Sequence, residues 1–194
     1  MILNTYEIRI QTSSSERELA LLTSATESDM PVNWTCAWQT IWNKMDSDCQ
    51  GIIKLVYQNQ IWGLMRYGIY PYPGIPNNLV IEHLEANPIS QGQIVNRLVQ
   101  PIGKWLIWYA IQKALETCNI DDNDSLLVLI SLEDAFDYYR DTIKMEYVED
   151  VTLAPGEDGY VFRFTKKQAI AYTQKHQSQW GRGRIIDPRT DYGR

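Results

Sequence analysis

The chain has 194 residues, of which 44% are hydrophobic and 22% are charged. That is enough apolar material for the core of one ordinary domain, so an intrinsically disordered chain is excluded. The longest apolar run, residues 105–111, is much shorter than the roughly 20 residues of a membrane-spanning helix. The first residues lack the pattern of a secretory signal. We therefore predict a cytoplasmic protein that does not cross a membrane.

The charge and the cysteine content narrow the function classes further. A net charge of −6 repels phosphate backbones and anionic lipid, which argues against a protein that binds nucleic acid or membranes. The three cysteines are far apart in the sequence, and two histidines are too few to complete a typical metal site with them. We therefore expect neither a disulfide scaffold nor a bound metal ion.

The first quarter of the chain carries one strand pattern and two helix patterns. Residues 6–11 alternate apolar and polar side chains, which is typical of a half-buried strand. Serines at 13–15, followed by the leucines of residues 19–22, predict a capped helix. Trp34, Trp38 and Trp42 recur every four residues and predict a short helix with an aromatic face. Such a face favours core packing, and a ligand-binding wall is the alternative.

The middle of the chain predicts a hairpin, a strand and a long helix. Residues 51–57 and 60–67 are two strand-like runs separated by Gln58-Asn59, which predicts a β-hairpin. Residues 79–86 predict another strand, which ends at an Asn-Pro pair. Residues 101–117 are helical in pattern and apolar on nearly every side. We therefore expect this helix to be central and covered by two layers.

The last part of the chain begins with residues 125–131, a continuous apolar run typical of a strand that is buried on both faces. The elements predicted after it are a short helix (133–143), two strands (145–148 and 159–164) joined by a Pro155-Gly156 turn, and a helix (166–177).

These elements predict an α/β fold with a mixed central β-sheet flanked by helices. Helix 101–117 is expected to connect two parallel neighbouring strands. We predict a single domain over residues 1–174 and a basic, flexible tail over residues 175–194, which has five basic and two acidic side chains. Because the rest of the chain is acidic, this tail could contact a second copy, and a homodimer is left open.

The order of the elements and three local patterns resemble the GNAT N-acetyltransferase superfamily over about residues 5–165. Strand 79–86, followed by the helix that starts at Pro101, is similar to the family's fourth strand and acetyl-CoA helix. Residues 100–107 are similar to its glycine-rich turn and helix, and residues 135–140 to its alanine and tyrosine segment. The resemblance implies the acyl-CoA N-acyltransferase fold.

The resemblance also implies acetyl-CoA as the co-substrate. A helix N-terminus offers unpaired N–H groups and the positive end of the helix dipole, which suits a pyrophosphate. Pro101 stands where the family has a glycine, and proline has no N–H to donate, so the charges of Arg97 and Lys104 would compensate. The residues implied in binding the donor are Leu84, Ala86, Arg97, Gln100, Ile102, Gly103 and Lys104.

The implied catalytic residues are a tyrosine and a carboxylate. Tyr139 matches the family's general acid, whereas the adjacent Tyr138 is expected to pack. Glu82 and Glu85 lie on the strand where family members often place the base. Their separation of three residues puts them on opposite faces of a regular strand, and we favour Glu82. His83 is the alternative base.

The acceptor is expected to contact aromatic side chains, with Trp34, Trp38 and Tyr67 as the candidates. Aromatic walls in an acidic protein suit a cationic amine. We therefore predict direct transfer of an acetyl or short acyl group from acyl-CoA to a primary amine of a small molecule or protein. Pro101, and Lys144 in place of a family glycine, favour the alternative, a GNAT-fold binding or regulatory module with weakened catalysis.

Overall fold

The structure is a computed structural model, and it describes residues 4–90 and 97–186. The strands are β1 (Thr5–Thr12), β2 (Arg17–Ser24), β3 (Gln50–Tyr57), β4 (Gln60–Tyr70), β5 (Asn78–Ala86), β6 (Val99–Gln100), β7 (Ser125–Ser131), β8 (Glu146–Ala154), β9 (Glu157–Thr165) and β10 (Arg184–Ile186). The helices are α1 (Trp38–Asn43), α2 (Ile102–Thr117) and α3 (Lys166–Trp180), together with a π-helix over Tyr138–Ile143. Short 3-10 turns cover Glu27–Asp29, Pro88–Ser90 and Glu133–Ala135.

The chain divides into two compact units, and it passes between them within β4, β5, α2 and α3. Among the described residues the first unit holds 4–66, 83–90, 97–107 and 176–186, and the second holds 67–82 and 108–175. In the first unit β10, β1, β2 and β3 are successive neighbours, and β6 also pairs with β1. In the second unit the order is β5, β7, β9, β8. The predicted fold class, a mixed sheet flanked by helices, is confirmed.

The segment after β1 is a strand, so the prediction of a helix there is wrong. β2 pairs antiparallel with β1, with Tyr6 opposite Leu22. Ala20 and Leu22 are buried, whereas Leu19 and Leu21 are 56% and 37% exposed. That alternation has the period of a strand, and pairing along β1 outweighs the helix-start signal of the serines. The serines instead form the hairpin turn, where the Ser15 N–H bonds to the Thr12 carbonyl.

The predicted hairpin of the middle segment is confirmed as β3 and β4. Gln58 and Asn59, which connect the two strands, both have positive φ angles, 51° and 59°. Two central residues with positive φ are the requirement of the turn type that suits the twist of a hairpin. The predicted short helix is present as α1, which contains Trp38 and Trp42, whereas Trp34 lies before its first residue.

The central helix and the strands on either side of it match the prediction. β5 and β7 are parallel, with Leu79 opposite Leu127 and Ile81 opposite Leu129, and α2 connects them. Residues 105–111 of α2 are at most 2% exposed, as expected of a helix covered on all sides. Gly63 of β4 allows α2 to approach closely, because a Cβ atom there would lie 2.5 Å from Cγ2 of Ile102.

The C-terminal part differs from the predicted flexible tail. α3 continues to Trp180, and β10 then pairs antiparallel with β1, with Arg184 opposite Glu7. The Arg184 guanidinium also forms an ion pair with Glu7 at 3.0 Å. Residues 175–186 are therefore helix and strand, because an apolar Ile185-Ile186 pair and an exposed edge of β1 favour strand pairing. The last residues of the predicted tail, 187–194, lie outside the described residues.

Candidate active site

Glu82, the favoured base, lies in β5 in the second unit and is half-buried. The hydroxyl of Tyr70, at the end of β4, donates a hydrogen bond of 2.5 Å to Oε1 of Glu82. Hydrogen bonds to an ionised carboxylate are shorter and stronger than hydrogen bonds between two neutral groups. Glu82 is therefore held by a defined partner while it remains partly accessible.

Glu85, the other candidate base, is in the first unit and is only 5% exposed. Its carboxylate accepts hydrogen bonds from the backbone N–H groups of Thr35 and Cys36, at 2.7 and 3.0 Å, and from the Trp38 indole at 2.8 Å. Burial alone would raise the pKa of Glu85, but the hydrogen bonds outweigh it, and the net pKa lies below its ordinary value. Glu85 is therefore an ionised acceptor that fixes residues 35–38, a poor arrangement for a base.

The tryptophan face of α1 is core. Trp38 is 0% exposed and packs in a cluster with residues such as Ile41, Ile52 and Leu64, against which the half-buried Trp34 also lies. The prediction that Trp38 contacts a substrate therefore disagrees with its burial, and the alternative of core packing describes it.

Tyr67, also predicted to contact the acceptor, is buried in the second unit. It is 0% exposed, and its ring centre lies 6.3 Å from that of Tyr109 in α2. Burial raises the pKa of Tyr67 to about 12, a hydrogen bond with Tyr109 opposes the rise, and the charge of Glu116 adds to it. Tyr67 is therefore a core residue, and it offers no face to an acceptor in this structure.

Tyr139, the candidate acid, lies on the π-helix that follows β7. It is 8% exposed, and its ring packs on Tyr138 and Phe162 with centroid distances of 5.3 and 5.8 Å. Its hydroxyl makes no hydrogen bond to residues 4–90 or 97–186. Burial raises the pKa of Tyr139 to about 12. The phenol is therefore a proton donor that stays protonated at physiological pH.

The π-helix itself is a local departure from regular structure. It ends at Ile143, and the next residue, Lys144, has a left-handed φ of 67°. The N–H of Met145 bonds to the carbonyl of Tyr139 at 3.0 Å. Single-turn π-helices occur frequently at functional sites, where they redirect a side chain. Lys144 stands where the family described in the sequence analysis has a glycine. A left-handed φ explains a preference for glycine at this position, because glycine adopts such an angle without strain.

Tyr138 and His83, the neighbours of the candidate acid and the candidate base, both contact aromatic rings. Tyr138 is half-buried and lies against Tyr139, in line with the prediction that it packs. His83 is half-buried, and its ring lies edge-on to Trp38 with a centroid distance of 6.2 Å.

The residues predicted to bind the donor lie in the first unit, at the end of β5 and the start of α2. Ile102 and Gly103 are the first residues of α2, where backbone N–H groups have no partner within the helix. Lys104 is half-buried beside them, and its charge, after burial, helps lower the pKa of His176 to about 4. Lys104 therefore places a positive charge beside this helix start.

The other donor-site candidates are backbone and flanking positions. Gln100 lies in β6 opposite Gln11 of β1, and Arg97 is half-buried. Leu84 and Ala86 lie in β5 beyond the ladder with β7, which joins only Leu79–Ile81 to their partners. Most of the segment before Arg97, residues 91–96, lies outside the described residues.

Comparison with solved structures identifies the fold. An acetyltransferase of the GNAT family from Bacillus cereus matches with a TM-score of 0.52 and 10% identity, over 77% of this chain and 99% of that one. The chain has the GNAT fold. Arabidopsis thaliana Naa50, solved in complex with the bisubstrate analogue CoA-Ac-MVNAL, matches this GNAT-fold chain with a TM-score of 0.53 and 13% identity, over 75% and 98% of the two chains.

A third match covers more of the GNAT-fold chain. An uncharacterized protein from Bacillus halodurans gives a TM-score of 0.62 at 10% identity, over 92% of this chain and 99% of that one. No protein-family model and no curated protein sequence matches the chain. At these identities the likeness is one of fold, and the fold predicted from the sequence is confirmed.

Two further observations concern ligands and membranes. Within the described ranges, no three histidine, cysteine, aspartate or glutamate side chains are grouped so that they could hold a metal ion. The described helices are also too short or too polar to cross a membrane.

Some partners of the two carboxylates are not predicted by the sequence analysis. They are the hydroxyl of Tyr70, which bonds to Glu82, and the backbone N–H groups of Thr35 and Cys36, which bond to Glu85. Strand neighbours twelve residues apart could have suggested Tyr70 as a partner of Glu82. Backbone donors that lie fifty residues from their acceptor leave no comparable signal.

Proposed function

We propose that this protein transfers an acetyl or other short acyl group directly from acyl-CoA to a primary amine of a small molecule or a protein. The observation that carries the proposal is the phenol of Tyr139, a residue that is 8% exposed and stays protonated, and whose hydroxyl makes no hydrogen bond to the described residues. The GNAT fold supports the same chemistry, since Naa50 of that fold was solved with a CoA-based analogue. Fold alone would not suffice, because one fold hosts many functions.

The base of the reaction is assigned to Glu82. Its carboxylate accepts a proton from the attacking amine, directly or through a water molecule, as the nitrogen forms its bond to the thioester carbonyl carbon. Glu82 suits this role better than Glu85 because it is partly accessible, whereas Glu85 is occupied by donors from residues 35–38. Glu82 must be ionised for this step, because only the carboxylate can accept the proton.

The acid of the reaction is assigned to Tyr139. Its phenol donates a proton or a strong hydrogen bond to the sulfur as the carbon–sulfur bond breaks and the thiolate leaves. A tyrosine with a pKa of about 12 is a weaker acid than a thiol, so stabilisation of the leaving thiolate by a hydrogen bond is a large part of its effect.

The donor is assigned to the start of α2 and the end of β5. The thioester of acyl-CoA supplies the acyl group. The N–H groups of Ile102 and Gly103 and the charge of Lys104 fit a pyrophosphate, because a helix start that exposes donors and a cation suits an anion. Pro101 removes one donor from this set. The backbone of Leu84 and Ala86 would hold the extended pantetheine arm, and Arg97 and Gln100 would flank the phosphates.

The first test is donor binding, measured as a thermal melt with acetyl-CoA, longer acyl-CoAs and CoA alone. A donor at about 100 times its Kd adds roughly 2.7 kcal/mol to the folded state, which raises Tm by about 5–10 °C in a chain of this size. Substituting Lys104→Ala should reduce this rise, and Lys167→Ala, on exposed α3 surface, is the matched control.

The second test is turnover on a panel of primary amines and peptide N-termini, read by mass spectrometry of the product. Acylated product that depends on Tyr139 and Glu82 supports the proposal. A rise in Tm without product from any amine would favour the binding or regulatory module instead, which the missing N–H at Pro101 also suggests. No rise with any acyl-CoA would contradict the proposal.

A further inference from the structure

Tyr70 lies directly over the backbone of its own strand at Gly68. A Cβ atom on Gly68 would be 2.5 Å from Cε2 of Tyr70 and 2.6 Å from both Cζ and the hydroxyl oxygen. The phenol ring therefore occupies the space that any other side chain at position 68 would fill. Glycine is required here because the ring and the strand backbone approach so closely.

The main chain of Tyr70 is held as well as its ring. Its carbonyl accepts the N–H of Asn77 at 2.9 Å, so both ends of the loop between β4 and β5 are joined at this residue. A tyrosine has only two side-chain torsions, and packing on Gly68 restricts both of them. The hydroxyl is consequently presented at a fixed point, where it meets Oε1 of Glu82.

We propose that Tyr70 is a positioning residue for the proposed base Glu82, and that Gly68 is the feature of the chain that allows it to act. A glutamate side chain has three rotatable torsions, so a half-buried one is mobile unless a partner fixes it. The hydrogen bond from Tyr70 fixes the carboxylate in one orientation before the amine arrives. Such pre-organisation lowers the barrier of a proton transfer.

This inference rests on the proposed function, since Glu82 is the base only if the protein is an acyltransferase. It adds a relation that sequence spacing does not show, because Gly68 has no side chain and acts by leaving room for the Tyr70 ring. Its effect is transmitted through the ring of Tyr70. Two different substitutions, one at the donor and one under its ring, should therefore give the same defect.

The kinetic test compares Tyr70→Phe, Gly68→Ala and the double variant. Each single variant should lower kcat about tenfold and leave KM for the acyl-CoA unchanged, because the lost hydrogen bond acts only on the acceptor half of the reaction. The double variant should lose no more than either single one, since both remove the same interaction. Tyr72→Phe, two residues along the same loop, is the matched control and should change nothing.

A second readout does not depend on turnover. The side-chain carboxyl of Glu82 can be followed by carbon NMR on glutamate-labelled protein, with the resonance assigned by its loss in Glu82→Gln. Tyr70→Phe and Gly68→Ala should displace this resonance in the same direction at one fixed pH. Tyr70→Phe keeps the ring in place, so it remains informative if Gly68→Ala fails to fold.

The two readouts separate the two claims. If no amine is acylated by the native protein, the proposed function fails, and the NMR shift still decides whether Tyr70 and Gly68 position Glu82. If the native protein is active but Tyr70→Phe leaves both kcat and the Glu82 resonance unchanged, the inference is overturned while the proposed function stands. A loss of kcat with an unmoved resonance would also overturn it.

Discussion

The Trp38 indole N–H donates a hydrogen bond of 2.8 Å to the carboxylate of Glu85, and both side chains are buried. Trp38 is therefore more than an apolar core residue, because its hydrogen bond also offsets part of the free energy that is lost when the Glu85 carboxylate is buried. Two backbone N–H groups just before α1 donate to the same carboxylate. The pair links the first turn of α1 to strand β5 within the first unit, so it should matter for stability more than for chemistry.

Replacing Glu85 with glutamine should destabilise the protein. The amide would present N–H groups to the N–H donors of Thr35, Cys36 and Trp38, so at least one buried donor would lose its acceptor. We expect a loss of about 2–3 kcal/mol and a fall in Tm of about 4–12 °C, measured by urea and thermal unfolding. Because the folded-state pKa of Glu85 is lowered, this stabilisation is present above pH 4.5 and is lost as the pH falls further.

Glu82→Gln is the matched control on the same strand. Glu82 is half-buried with a hydroxyl partner, and a glutamine oxygen can still accept that hydrogen bond. We expect little loss of stability and a large loss of kcat. If instead Glu85→Gln proves catalytically dead but fully stable, the assignment of the two carboxylates is wrong.

Tyr139→Phe should lower kcat by about 100-fold or more, the usual contribution of a positioned acid. Binding of acyl-CoA, measured as the rise in Tm, should be retained because the phenyl ring keeps its packing on Phe162. Since the pKa of Tyr139 is about 12, the rate should not fall through loss of this proton below about pH 10. Tyr138→Phe, its neighbour on the π-helix, should retain activity, and equal losses in both variants would refute the role.

Alkali should unfold the protein partly through two buried tyrosines. Burial raises the pKa of Tyr67 and of Tyr139 from 10 to about 12, so between these values the unfolded chain ionises and the folded one does not. The contribution of these two tyrosines to the free energy of unfolding is fully present below pH 10. It decreases as the pH rises to about 12, by about 1.4 kcal/mol per pH unit for each tyrosine. Unfolding titrations of Tyr67→Phe and Tyr139→Phe should show shallower slopes. An unchanged slope in both would contradict their burial.

Low pH should destabilise the protein partly through His176 on α3. Burial, and to a lesser degree the charge of Lys104, lowers the pKa of His176 from 6.5 to about 4. The unfolded chain therefore binds an extra proton between these values, and stability decreases as the pH falls from 6.5 to about 4. His176→Phe keeps an aromatic ring against Trp105, 4.3 Å away, and should flatten this part of the pH–stability curve. His83→Asn is the control. If only this variant flattened the curve, the assignment of the effect to His176 would be contradicted.

Several elements were predictable because their signal is local. The hairpin around Gln58-Asn59 follows from turn residues that tolerate positive φ, and the parallel pair β5 and β7 follows from an apolar helix between two strands. The placement of Tyr139 just after β7 was also readable, because the helical segment begins where the apolar run ends. These features depend on residues within a few positions of one another.

The segment that forms β2 shows the limit of local sequence patterns, which predicted a helix there. A capped serine turn and four apolar residues fit a helix until β1 supplies a partner strand, and pairing with β1 then decides the backbone conformation. The same limit applies to β10, which is a strand only because the edge of β1 lies beside it. The deciding hydrogen bonds lie outside the segment itself: they join residues up to 16 positions apart in the β1–β2 pair and more than 170 positions apart in the β1–β10 pair.

The sequence by itself therefore determined the α/β class, the central helix and the two carboxylates of β5 as candidates. Only the tertiary structure decided that Glu85 is a buried acceptor, that Trp38 and Tyr67 are core, and that Tyr70 lies over Gly68 to reach Glu82. The physical reason is that periodicity reports the side of an element on which a residue lies. Which donors, rings and charges then cover that residue depends on long-range packing, and the packing sets its solvation and its chemistry.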